Sequence, residues 1–201
     1  INFKNFHNAF VNISSEKRNL SIIVDPWIKD GIYNNSWCTN PNVKKEKMIS
    51  CLKNADICII THIHEDHFDL SAISKLSKNC KIILPKMWPN PIVVGNKLPE
   101  RNIEYLDLGR NYTIDEGVNI CFVQPMNGEG HLVDIEEKSK SDELVVDTGV
   151  IVEFDNQKFT LLADNFPWNF DNISDDVIKR MMKSDILAVP FNSFADDYPL
   201  C

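Results

Sequence analysis

The chain has 201 residues, 43% hydrophobic and 25% charged, enough to bury one sizeable core in a single domain. Its formal charge of −8, with no basic run to offset it, repels phosphate backbones and sets nucleic acid aside as a partner. Six cysteines without a CxxC pair suit free thiols in a reducing compartment, and no apolar stretch is long enough to span a bilayer. These features predict a cytoplasmic location. The chain opens on Ile1 and stops at Cys201, so part of the domain is expected to lie beyond residue 201.

In chain order, short β-branched runs bounded by Asn, Asp, Gly and Pro read as strands. The first are AFVNI (9 to 13) and LSIIVD (20 to 25), followed by a helical pattern over 44 to 54. DICIITH (56 to 62) is a buried strand leading into a second helix over 69 to 79, with Asp69 as its N-cap. CKIILP (80 to 85), NIEYLDL (102 to 108) and VNICFVQP (118 to 125) continue the strands. Next comes a long acidic stretch, GEGHLVDIEEKSKSDELVVD (128 to 147), of a length that is functional or disordered. TGVIVEF (148 to 154) and KFTLLAD (158 to 164) flank a hairpin signal, EFDNQKF, and a third helix over 174 to 184 with Ser174 at its cap precedes DILAVPF (185 to 191). The alternation predicts an α/β layer protein with at least two sheets.

Chemistry concentrates in THIHEDHFD (61 to 69), which holds three of the five histidines. If the strand pleat persists past DICII, His62 and His64 share one side, and Asp66 and His67 approach from the turn before the helix. Four nitrogen and carboxylate donors within six residues suit a divalent transition metal, with zinc favoured and iron or manganese compatible. An isolated histidine is more often a hydrogen-bonded core or surface residue. Three imidazoles packed together would repel when protonated, and without a metal they have no structural purpose.

HIHEDH resembles the HxHxDH signature of the metallo-β-lactamase fold superfamily, whose fold is a four-layer αββα sandwich. The resemblance covers essentially the whole chain, with FHNAFVNI similar to the opening strand, SIIVDP to the strand delivering an early Asp, and FTLLADN to the strand ending in a bridging Asp. It implies that His62 and His64 hold a first metal, that Asp66 and His67 hold a second, and that Asp164 bridges them. It further implies that His131 completes the first metal's imidazoles; the bland alternative is a solvated loop histidine. Asp25 would orient a ligand imidazole from behind. His7 is as readily a packed polar residue near the site as a participant. No His follows residue 131, so the usual last ligand lies beyond Cys201, is replaced by Asn192 or a neighbour, or is missing and weakens the second position.

Secondary features, DPWIKDGIYNNSW with Trp27, Gly31, Asn35 and Trp37, and ADDYPLC, look like the branch of CMP-N-acetylneuraminate hydroxylase-like domains. More distantly the chain is similar to N-acyl-phosphatidylethanolamine phospholipase D and to ascorbate-phosphate lactonases. Trp27, Trp37 and Trp168 are core aromatics or a stacking wall for a sugar or base. The resemblance implies a hydrolase with one or two metals, in which a metal-bound hydroxide attacks an ester, amide, lactone or phosphodiester of a small molecule. Asp66 would orient that hydroxide. Two alternatives remain: iron-dependent oxidation of a nucleotide-activated sugar, and a binding module with an incomplete site. Composition and motifs say nothing of oligomeric state.

Overall fold

A computed structural model describes residues 1–35, 37–38, 43–86, 101–115, 117–123, 148–164 and 175–189. The chain forms two compact units, one of Ile1–Leu84, Pro99–Glu104 and Ala195–Cys201, the other of Pro85–Leu98 and Tyr105–Phe194.

The first unit is built on a sheet of β1 (Asn2–His7), β2 (Phe10–Ser15), β3 (Leu20–Val24), β4 (Ile57–Ile59), β5 (Lys81–Pro85) and β6 (Asn102–Leu106), hydrogen-bonded in that order. β1, β2 and β3 pair antiparallel, whereas β3, β4 and β5 pair parallel. The parallel strands read as continuous apolar runs because both faces are covered. Ile22, Ile23, Cys58, Ile59, Ile82 and Ile83 are fully buried, and each large side chain contributes about 1.5–3 kcal/mol by leaving water. Helix α1 (Lys45–Lys53) forms where expected and buries Met48 and Leu52.

Three departures from the sequence expectation matter. β1 goes unread because NFKNFH is polar, yet a register shift between Asn5 and His7 turns both Phe6 and His7 inward. The strand expected over 56–62 ends at Ile59, and the ladder is lost at Thr61. Ile60 N still donates to Ile83 O, but Thr61 N donates to the Asp25 carboxylate and leaves the ladder. His62 and His64 therefore do not lie on a strand pleat. Third, the helix expected over 69–79 is a single turn, α2 (Leu70–Ile73). Beyond it, Lys75 N and Leu76 N bond three residues back, to Ala72 and Ile73. The Arg101 guanidinium takes the carbonyls of Ile73, Leu76 and Ser77, which a continuing helix would need.

The second unit carries a five-stranded sheet ordered β11 (Ile186–Ala188), β10 (Gln157–Leu161), β9 (Gly149–Phe154), β8 (Val118–Val123), β7 (Tyr112–Asp115). β7 is the other strand that sequence patterning missed; its alternation, half-buried then exposed, leaves no apolar run. The EFDNQKF hairpin closes through Asp155 and Asn156, both left-handed at φ 49° and 61°, which suits the right-handed twist of the β9–β10 pair. Helix α3 (Asp175–Met181) sets Val177 and Met181 on a core of Cys121, Val123, Ile151 and Leu162. The expected cap Ser174, together with His131, Trp168, Asn192 and the acidic stretch 128–147, lies outside the described residues. Among the described residues no helix is long and apolar enough to cross a membrane.

Candidate metal centre

The HIHEDH segment follows β4 in the first unit, at the carboxyl ends of the parallel strands, where β3 also delivers Asp25. Asp25 sits in a left-handed conformation (φ 46°), its N–H bonded to Ile59 O, so that its side chain enters the core with 1% exposure. A carboxylate this deep needs its lone pairs used. Oδ1 accepts from Thr61 N at 2.7 Å, and Oδ2 accepts from Thr61 Oγ1 at 2.7 Å and from His67 Nδ1 at 2.8 Å.

For neutral rings, these bonds assign the proton positions on two imidazoles. His67 carries its proton on Nδ1, facing Asp25, and so presents the lone pair of Nε2. Thr61 spends its hydroxyl proton on Asp25 and can only accept from His62 Nδ1, 3.0 Å away. His62 therefore also presents Nε2 as a lone pair. One buried carboxylate thus prepares both rings as metal donors, directly for His67 and through Thr61 for His62.

The donors converge. His62 Nε2 lies 2.8 Å from His64 Nδ1, with the two rings edge to face at 4.6 Å. The His62 and His67 ring centroids are 4.0 Å apart, and His67 Nε2 is 3.4 Å from Asp66 Oδ2. His62 and His67 are 1% exposed and Asp66 3%, while His64 is half-buried. Three imidazoles and a carboxylate at such spacing could hold a divalent transition metal, and the Nε2 atoms turned into the cluster fit such an ion.

Around this cluster, Asp69 does more than cap α2. Its Oδ1 accepts from Ser71 N and Oγ, and its Oδ2 accepts from Ile28 N and Lys29 N at 2.8 and 2.9 Å. Asp69, two residues past the motif, thereby anchors the DPWIK segment that contains Asp25. Trp27 within that segment is fully buried, its Nε1 donating to Lys29 O and its carbonyl 2.8 Å from His7 Nε2. That makes Trp27 a core residue rather than an exposed stacking surface. His7 packs edge-on against it at 5.0 Å, and burial holds the His7 pKa below 6.5 despite the Trp27 carbonyl and Asp30. Trp37 is half-buried and meets Tyr33 edge-on at 5.5 Å. Asp164 belongs to the second unit, just past β10 and after a left-handed Ala163.

Sequence reasoning missed Thr61 and Tyr33. The Tyr33 hydroxyl donates to Asp66 Oδ1 at 2.6 Å, and Tyr33 N donates to Glu65 Oε2 at 3.1 Å. All five cysteines among the described residues are free, and burial pushes Cys51 to about 11 and Cys80 to about 12, which keeps those two as thiols.

Residues 5–193 match the model of the β-lactamase superfamily domain. The chain belongs to this family. No curated protein matches it. Among solved structures, this superfamily member is similar to a possible metal-dependent hydrolase from Veillonella parvula, at 17% identity and TM-score 0.60, covering 98% of this chain and 76% of that one. It is similar to a metallo hydrolase from the archaeon Ignicoccus hospitalis at 18% identity and TM-score 0.54, covering 81% and 60%. It is also similar to a diiron β-hydroxylase from Streptomyces venezuelae at 16% identity and TM-score 0.58, covering 81% and 29%. At these identities the likeness is one of fold. The chain spans less than two thirds of the Ignicoccus protein's length and under a third of the Streptomyces one.

Proposed function

We propose that this chain is a metal-dependent hydrolase that cleaves an ester, amide, lactone or phosphodiester in a small molecule. The observation that carries the reading is the hydrogen-bond chain from Asp25 directly to His67 Nδ1 and through Thr61 to His62 Nδ1, which assigns Nε2 of both rings to the cluster side. In this arrangement His62 Nε2 accepts from His64 Nδ1 at 2.8 Å, a contact that a cation would replace by taking both nitrogens as ligands. In this reading His62 and His64 hold one cation and Asp66 and His67 a second, with Asp164 bridging and His131 completing the first position. Zinc is favoured by the imidazole-rich set, with iron and manganese compatible. The four-layer sandwich, one domain spanning both units, and kinship with the sialate hydroxylase-like branch belong to the same proposal.

A divalent cation held by these residues would supply a bound water with its pKa lowered towards about 7 and polarisation of the scissile oxygen. The chain's own residues do the rest. Asp25 keeps the protons of His62 and His67 on the far side of their rings, so neither turns an N–H to the cluster. Asp66 offers Oδ2 as the acceptor that orients the attacking water. Half-buried His64 marks the side from which a substrate enters.

The test is turnover by chelator-stripped protein reloaded with zinc, manganese or ferrous iron, against a panel of esters, lactones and phosphodiesters. Metal-restored hydrolysis lost in His64→Ala supports the reading. Hydrolysis indifferent to chelation or to His64→Ala sinks it. Activity restored by iron alone, and only with an oxidant, would instead select the oxidative alternative.

A further inference from the structure

We propose that Tyr33 is a positioning residue for Asp66: its hydroxyl, delivered by a strained turn, sets how tightly the metal position of Asp66 and His67 is filled. The proposal rests on the metal-binding reading above and adds a residue outside the HxHxDH motif.

The motivating feature is the backbone of GIYNN. Gly31 has φ 73°, and Tyr33, Asn34 and Asn35 follow at 48°, 57° and 67°. Left-handed geometry costs about 1–2 kcal/mol per residue with a Cβ, and asparagine bears it better than tyrosine. Three successive residues in that region need a restraint. Within the turn, Asn35 N donates to Gly31 O, Gly31 N to Trp37 O and Trp37 N to Ile32 O, with Ile32 buried. Two further bonds reach out of it, and both end on consecutive acids of the motif. Tyr33 N donates to Glu65 Oε2, and Tyr33 Oη donates to Asp66 Oδ1. Strain held in place by contacts to a cluster of metal donors is the pattern expected where geometry serves function.

The consequence falls on Asp66. Its carboxylate is buried, and the phenol engages Oδ1 at 2.6 Å. That leaves Oδ2, 3.4 Å from His67 Nε2, as the oxygen turned to the donor cluster. Without the hydroxyl, the carboxylate can rotate about its Cβ–Cγ bond and present either oxygen or neither. The second acid-histidine pair would then lose its preset geometry, while His62, fixed through Thr61, and its neighbour His64 would keep theirs.

Zinc binding read by competition with a chromophoric chelator tests this without reference to any substrate. Asp66→Ala first identifies which zinc equivalent depends on Asp66. Tyr33→Phe keeps the ring against Trp37 and removes one oxygen. It is expected to weaken that same equivalent about 10- to 100-fold, as loss of an outer hydrogen bond to a ligand does, and to change its cobalt absorption spectrum. Trp37→Phe, which alters the neighbouring ring and spares the hydroxyl, should bind zinc as the wild type does. The far-UV spectrum and urea midpoint of each variant report its fold. Unchanged affinity in Tyr33→Phe, or an equal loss in Trp37→Phe, overturns the positioning role while leaving the metal-binding reading intact. A wild-type chain that binds no zinc removes both.

Discussion

Replacing Asp25 by asparagine keeps the size of the side chain and removes one acceptor from a site that uses both. Three donors, Thr61 N, Thr61 Oγ1 and His67 Nδ1, point at two carboxylate oxygens from 2.7 to 2.8 Å. Asparagine offers one oxygen and one amide. If its oxygen faces Thr61 N, the amide meets His67 Nδ1 and the Thr61 hydroxyl. His67 must then move its proton to Nε2, and Thr61 turns its own proton toward His62. Both rings lose the lone pair they present to the cluster. If the amide faces Thr61 N instead, a fully buried N–H is stranded against another donor. A stranded buried donor costs about 1–3 kcal/mol, and hydrogen bonds to a charged acceptor are worth about 1.5–3 kcal/mol each. Allowing for relaxation, the metal-free protein should lose about 2–4 kcal/mol. Zinc affinity should fall a further 10- to 100-fold, about 1.4–2.8 kcal/mol. Urea unfolding of the chelated protein measures the first quantity and chelator competition the second. An Asp25→Asn variant with wild-type stability and wild-type zinc affinity would refute the tautomer argument.

Two further outcomes follow from other parts of the chain. At Gly149 an added Cβ would lie 2.8 Å from Leu161 O and 3.0 Å from Leu162 Cα, both backbone atoms that can yield only if β10 shifts. Gly149→Ala should therefore cost about 1–3 kcal/mol, read as a lowered urea midpoint, and an unchanged midpoint would show that the strands part freely. Burial depresses the pKa of His7 below its ordinary 6.5. The unfolded chain then takes up the proton first as pH falls, so the stability present above pH 6.5 is lost progressively below it, down to the folded pKa. Urea midpoints from pH 7.5 to about 5 should fall less steeply in His7→Gln than in the wild type. Parallel slopes would place the titrating group elsewhere.

Much of the scaffold was legible because β-branched runs such as LSIIV and KIILP have one stable use, as strands buried on both faces. The same logic failed for NFKNFH, where a bulge rather than a pattern buries His7, and for YTID, which carries no apolar run. The second helix read too long because Leu70, Ile73 and Leu76 fit helical spacing. The side chain that interrupts it, Arg101, lies 25 residues away from Leu76 in sequence. At the site, the donors of HIHEDH were visible as types and spacing. Their relative placement was not, since it depends on Asp25 drawing Thr61 N out of the ladder, a contact between residues 36 apart. Tyr33 left no readable sign. Only Gly31 and the two asparagines hint at the left-handed turn that brings its hydroxyl to Asp66.

Metal content decides whether His62, His64, Asp66 and His67 form a metal site. Elemental analysis of the purified wild type beside a His62→Ala, His67→Ala double variant is the measurement. At least one transition-metal ion per wild-type chain, retained through dialysis, is expected, and almost none in the variant. A wild type that carries no metal and takes up none from added zinc, manganese or ferrous iron would contradict a metal site there.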